Sequence, residues 1–120
     1  MAQQNIVIII NAAPHGSERC TSGLRVAGAL AARADVARLH ILLMSDATVA
    51  ALPHQKDNAG NLIQTLVEEL AGADNASVHM CRNCALARGL IDLPLIEGVT
   101  VATLSELGDW VVAADKVITF

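Results

Sequence analysis

Short aliphatic-rich runs alternate with helix-period segments along nearly the whole chain. Ile6-Val7-Ile8-Ile9-Ile10 is a continuous β-branched run with no polar alternation, which predicts a strand covered on both faces. It breaks at Asn11-Ala12-Ala13-Pro14-His15-Gly16-Ser17, a loop rich in turn residues. From about Glu18 to Ala34 the apolar positions Leu24, Val26, Ala27, Leu30 and Ala31 predict an amphipathic helix. Arg38 to Met44, with Leu39, Ile41, Leu42 and Leu43, reads as a second buried strand. Asp46 to Leu52 fits a short helix, and Pro53 to Gly60 a polar loop.

Leu62, Ile63, Leu66, Val67 and Leu70 recur at helical spacing from about Asn61 to Ala71, with Gly72 as the stop. Ala76 to Met80 predicts a third strand that ends at Cys81-Arg82-Asn83-Cys84. A short helix from Asn83 to Arg88 should terminate at Gly89, and Val99 to Ala102 is a weak fourth strand. Thr103-Leu104-Ser105-Glu106 has the form of a capping box opening a helix to about Ala114, and Lys116 to Thr119 closes as a fifth strand.

Strands alternating with helices, without repeats or linkers, imply one α/β domain over residues 1–120: a five-stranded parallel sheet with right-handed crossovers and helices on both faces. The expected architecture is a flavodoxin-like three-layer sandwich in the order 2-1-3-4-5. Any site should then lie outside the carboxyl ends of the strands, near the adjoining ends of strands one and three. That edge carries the loop from Asn11 to Ser17 and the segment from Cys81 to Cys84.

Composition narrows the function classes. Of 120 residues, 53% are hydrophobic and 17% charged, so disorder is excluded. Eight Lys+Arg among twelve Asp+Glu form no basic stripe, and the formal net charge of -4 argues against nucleic acid. The charged fraction falls below the roughly 25% of an ordinary domain, so burial of a face in a homo-oligomer is expected. No segment approaches the ~20 apolar residues needed to span a bilayer, and the first five residues do not resemble a signal peptide. A reducing cytoplasm is the expected compartment, where Cys20, Cys81 and Cys84 read as thiols.

Cys81-Arg82-Asn83-Cys84 is the strongest chemical feature. Three-residue spacing across a first helical turn brings two sulfurs within bonding range. Free N–H groups at the helix start, together with Arg82, favour a thiolate and predict a lowered Cys81 pKa. Three readings fit: reversible disulfide formation, acceptance of sulfane sulfur as a persulfide, or two small buried side chains. Zinc lacks a full ligand set, because one Cys-x-x-Cys supplies two ligands and structural sites take four. The loop from Asn11 to Ser17 occupies the position of a phosphate loop but has no lysine and no Gly-x-x-x-x-Gly-Lys-Ser/Thr pattern. His15 fits either a proton shuttle or a solvated residue. Cys20 fits a resolving thiol or a buried spectator, Ser45 and Asp46 a cap or turn, and Trp110 core or interface.

The chain resembles the DsrE/DsrF-like family, most closely its YchN-like branch. The resemblance rests on Ile6-Val7, Asn11 to Glu18, Leu42-Leu43-Met44-Ser45-Asp46-Ala47, Gln55-Lys56 and Gly60-Asn61. It continues through Cys81 to Cys84, Arg88-Gly89-Leu90, Leu93 to Val99 and Ala114 to Phe120. It implies a flavodoxin-like fold assembling into rings, commonly hexamers. Sulfur-relay members carry a persulfide on a cysteine after the third strand; counted back from Arg88-Gly89, that position is Cys81. Cys84 matches a second cysteine of YchN-like proteins, whereas Cys20 lies outside the pattern.

The expectation is therefore a cytoplasmic sulfur-relay-type protein, homohexameric, using sulfur-donor and sulfur-acceptor proteins, with no cofactor and no metal. Cys81 and Cys84 are the reacting thiols, and Arg82, Asn11, His15 and Ser17 are the binding residues. A non-catalytic oligomeric scaffold that binds a small anion or partner protein, and a dithiol redox switch, are the alternatives.

Overall fold

The computed structural model describes residues 3–56 and 59–120. Asp57 and Asn58 of the expected polar loop, and Met1 and Ala2 at the start, lie outside the described residues. Five parallel strands form the sheet: β1 (Gln4–Ile10), β2 (Val36–Leu43), β3 (Ala76–Cys81), β4 (Thr100–Ala102) and β5 (Lys116–Thr119). They are joined by α1 (Arg19–Ala31), a 3-10 helix (Ser45–Ala51), α2 (Ile63–Ala71), α3 (Arg82–Ala87) and α4 (Leu104–Ala113). Every element expected from the sequence is present, with no end shifted by more than three residues.

The strand order is not the one expected. The sheet runs β4-β3-β2-β1-β5, in place of 2-1-3-4-5. Strands one and three are therefore not neighbours, and β2 stands between them. The reason is burial. Leu39, Ile41, Leu42 and Leu43 are all at most 1% exposed, so β2 is covered on both faces and flanked on both sides. The three-residue β4, with Thr100 and Val101 exposed, is an edge. Those features were visible in the sequence as the aliphatic positions Leu39, Ile41, Leu42 and Leu43 against a weak strand at Val99 to Ala102.

This order divides the helices unequally. Successive right-handed crossovers from β1 to β4 all step in one direction, which puts α1, the 3-10 helix, α2 and α3 on one face. The return from β4 to β5 reverses direction and carries α4 to the other. On the first face Ile6, Ile8, Ile10, Leu39, Ile41, Leu43, Val78 and Met80 meet Leu24, Ala27, Ile63 and Val67 in one buried core. The intervening residues Val7, His40, Leu42, His79 and Cys81 point to the α4 side. No residue of α4 is buried, and Val112 is 89% exposed. The α4 capping box forms as expected: the Glu106 N–H donates to Thr103 Oγ1 at 3.2 Å, and the Thr103 N–H to Glu106 Oε1 at 3.0 Å.

The chain end closes the sheet next to β1. The Phe120 N–H donates to the Ile9 carbonyl at 2.8 Å, and the Asn11 N–H to the Phe120 carbonyl at 2.9 Å. The Phe120 ring then packs onto α1, where only glycine fits. A Cβ at Gly23 would lie 2.9 Å from Ile10 Cδ1 and 3.2 Å from the Phe120 ring. Gly23→Val should accordingly lower stability by about 1–3 kcal/mol through overpacking. Denaturant unfolding measures this; an unchanged midpoint would show that Phe120 moves aside freely.

Candidate functional site

The candidate site starts from the alternation of β3. Val78 and Met80 enter the main core, so His79 and Cys81 face the α4 side. Cys81 ends the strand and is the N-cap of α3, with extended backbone (φ −61°, ψ 122°). Cys84 lies three residues on in the first turn. α3 stops in a Schellman motif: the Leu90 N–H donates to the Ala85 carbonyl at 2.9 Å and the Gly89 N–H to the Leu86 carbonyl at 3.3 Å. Gly89 takes the left-handed φ of +70° that this stop requires.

The two sulfurs differ in exposure. Cys81 is 1% exposed, whereas Cys84 is half-buried. All three cysteines are free thiols. The Cys81 pKa is raised, contrary to the sequence expectation of a lowered one. Burial is the largest cause; the amides of Cys84 and Asn83 pull the other way, and the neighbouring Cys84 thiol adds to the rise. These amides face the sulfur without making a side-chain cap bond. Arg82 is exposed and takes no part in the shift, so the expected guanidinium–thiolate contact is absent. A short helix start cannot offset the removal of a sulfur from water.

A second correction follows from the strand order. Asn11 and Cys81 extend from strands separated by β2, roughly 10 Å apart at two strand spacings. The end of β2 bridges the gap. Ser45, held in the left-handed region at φ +52°, donates from Oγ to Asn11 Oδ1 at 3.3 Å. Its neighbour Asp46 accepts from Arg88 Nε at 3.0 Å, and Arg88 Nη1 donates to the Cys84 carbonyl at 3.2 Å. Arg88 thus ties the thiol-bearing helix to the turn after β2. Sequence reasoning gave this role to neither Arg88 nor Asp46; the available signal was an arginine four residues after Cys84, suited to the last helix carbonyls.

His15 and Ser17 belong elsewhere. His15 Nε2 lies 3.1 Å from Gln55 Oε1. With Ser17, Thr21, Arg25 and Asn61, it lines a groove of about 420 Å³ at the start of α1. Arg25 donates to Asn61 across this groove. The structure therefore joins Cys81, Cys84, Asp46 and Arg88 into one cluster, with Asn11 at its margin, and leaves His15 and Ser17 in another. Cys20 is completely buried in the main core, on the opposite face from Cys81, with its pKa pushed up to about 11 by burial. It is the spectator of the two readings open to it.

The α4 face holds a cluster that sequence reasoning missed. His40 and Trp110 stack with centroids 4.3 Å apart at 9°, and His79 lies 4.3 Å from the same indole. Ser77 Oγ is 2.8 Å from His79 Nε2 and 3.1 Å from His40 Nδ1, and Thr100 Oγ1 is 2.7 Å from His79 Nδ1. The signal was a histidine in each of two strands, His40 and His79, at a position whose neighbours along the strand are apolar. Among the described residues, no three His, Cys, Asp or Glu side chains converge as a metal set, and no helix is long and apolar enough to cross a membrane.

Comparison with known proteins agrees with this architecture. The model of the DsrE/DsrF-like family matches residues 4–120. The protein YchN of Escherichia coli K12 is 46% identical over 117 residues, covering 98% of this chain and 99% of its own. An uncharacterised protein of Methanopyrus kandleri is 35% identical over 96% of this chain and 93% of its own. The crystal structure of E. coli YchN superposes with a TM-score of 0.90 at 44% identity, over 98% of this chain and 100% of that one. A Methanobacterium thermoautotrophicum protein of unknown function shares the fold, with a TM-score of 0.72 at 19% identity over 96% of this chain and 97% of that one.

The histidine cluster predicts a pH dependence of stability. Burial, and then the charge of His40, push the His79 pKa down from 6.5 to about 4; Glu106 opposes this and Arg38 adds to it. His40 shifts down as well, through burial and Arg38. The folded protein resists protonation of both rings, while the unfolded chain takes up protons near the ordinary histidine value. Stability is fully present above about pH 6.5 and is lost as pH falls through about 4. Urea unfolding followed by the fluorescence of Trp110, the single tryptophan, should show a midpoint that drops from pH 7 to pH 4.5. The drop should shrink in His79→Gln; a wild-type midpoint independent of pH would contradict the assignment.

Proposed function

The chain belongs to the DsrE/DsrF-like family, and on that premise we propose that it is a cytoplasmic sulfur-relay-type protein carrying sulfane sulfur as a persulfide on Cys81. The family is associated with sulfur relay. The observation that carries the reading is the pair of free thiols at the carboxyl end of β3, with the Cys81 sulfur facing the amides of Asn83 and Cys84. Those amides favour the anion through which a thiol attacks sulfane sulfur. The same position is nearly closed to water, which keeps a loaded sulfur from stray nucleophiles. Sulfur held covalently on a cysteine calls for no cofactor and no metal. Donor and acceptor proteins would supply and remove it.

The spacing of two free thiols across the first turn of α3 also supports a dithiol redox switch, in which Cys81 and Cys84 oxidise to a disulfide. Incubation with inorganic polysulfide followed by intact mass and peptide mapping separates the two. Under the relay reading the wild type gains one sulfur that resides on Cys81, and Cys81→Ser retains none there. A wild type that only loses two hydrogens, as a Cys81–Cys84 disulfide, would overturn the relay in favour of the switch.

We also propose that the protein works as a homo-oligomer, a hexamer in its full form. Leu104, Val111, Val112 and Val117 are exposed on or beside α4, an apolar helix without a buried residue. Exposed apolar side chains concentrated there support burial of this face against other copies of the chain. Light scattering at micromolar concentration should give a six-subunit mass; a monomer would contradict self-association, and a dimer would contradict the hexamer.

A further inference from the structure

Displacement on sulfur requires an attacking thiolate to approach along the bond that breaks. Cys81, at 1% exposure, offers no such approach to a sulfur held on another molecule. Cys84 does: it is half-buried and lies in the first turn of α3, three residues after Cys81, which caps that helix. Its carbonyl is bound by Arg88, which is itself anchored on Asp46, so the turn bearing Cys84 is tied to the turn after β2.

We propose that Cys84 is the port through which sulfane sulfur enters and leaves, and that Cys81 is the buried store behind it. The inference rests on the persulfide reading and divides its chemistry between two residues. In the first step the Cys84 thiolate attacks the outer sulfur of a donor persulfide. A bond forms between Cys84 Sγ and that sulfur, the donor's S–S bond breaks, and the donor leaves as its thiolate. In the second step Cys81 attacks the same outer sulfur. Its thiol proton passes to Cys84 as the Cys84–sulfur bond breaks, leaving a persulfide on Cys81 and a free thiol on Cys84. Unloading is the reverse, ending on an acceptor thiolate. No electrons are gained or lost overall, so no oxidant or reductant is needed.

The arrangement accounts for both thiols. A persulfide at the surface would be open to any passing thiol, whereas one passed inward is reached only through Cys84. It also fits the raised pKa of Cys81: the buried thiol need not ionise in isolation, because its proton has the adjacent Cys84 sulfur to go to as the transfer occurs.

Glutathione persulfide is the probe, being too bulky to reach a buried sulfur directly. Wild type, Cys84→Ser and Cys81→Ser are mixed with it, quenched at intervals and read by intact mass and peptide mapping. Circular dichroism and oligomer mass establish that both variants are folded. The wild type should load, with the sulfur at rest on Cys81. Cys84→Ser should load Cys81 at least about tenfold more slowly, and should release a loaded sulfur to a thiol acceptor more slowly by a similar factor. Cys81→Ser should take sulfur onto Cys84 at the wild-type initial rate and lose it rapidly. Wild-type loading kinetics on Cys81 in Cys84→Ser would overturn the port while leaving the persulfide reading intact. So would a Cys81→Ser protein that accepts nothing on Cys84. A wild type that gains no sulfur on either cysteine would remove the persulfide reading, and the port with it.

Discussion

A parallel strand buried on both faces sends alternate side chains into two separate environments until the residue at which it ends. β3 does so through Cys81, its last residue, and the properties of the candidate site descend from that. Met80 goes into the main core and Cys81 to the α4 side. The strand cannot be shifted by one residue without exchanging the two faces. Because Cys81 is still inside the sheet layer, its sulfur is nearly removed from water and its pKa rises. Because the next residue begins α3, Cys84 emerges beside it in a less buried position. One strand end thus produces a protected thiol and an accessible one within a single helical turn.

The same sheet explains why the residues around the thiols come from β2 rather than β1. With β2 in the centre, the turn after it lies between the other two loops, and Ser45 and Asp46 become the connection. One contacts Asn11 and the other holds Arg88. An exposed ion pair such as Asp46–Arg88 contributes little to stability. Its consequence here is positional, since Arg88 also binds the carbonyl of Cys84. On the opposite face of the sheet, Cys20 shows what full burial does even in the first turn of a helix: its pKa is driven to about 11, and it has no chemistry to offer.

Much of the fold was legible in the sequence because local rules governed it. The β-branched run at Ile6, the capping residues Thr103 and Glu106, and the glycine stop at Gly89 each act over a few residues. Strand order is a different kind of property. It depends on the direction in which each crossover steps, which no local signal encodes, although Leu39, Ile41, Leu42 and Leu43 of β2 against the weakness of β4 pointed to centre and edge. The thiol pair was legible as a motif, but the sign of the Cys81 shift was not. The helix-start argument counted the amides and Arg82, and could not count the burial contributed by β2 and β4 from elsewhere in the chain. The His40–His79–Trp110 stack was hidden for the same reason, since its members come from three elements that meet only in the folded sheet.

The central claim is that the two thiols of one helical turn are unequal because the strand end buries one and releases the other. Competitive alkylation of the native protein with iodoacetamide, mapped by peptide mass spectrometry over time and across pH, reads this inequality directly. The account predicts that Cys84 is modified first and that Cys81 reacts later, with a midpoint above the ordinary thiol value. Cys81 reacting ahead of Cys84, with a midpoint below that value, would contradict it.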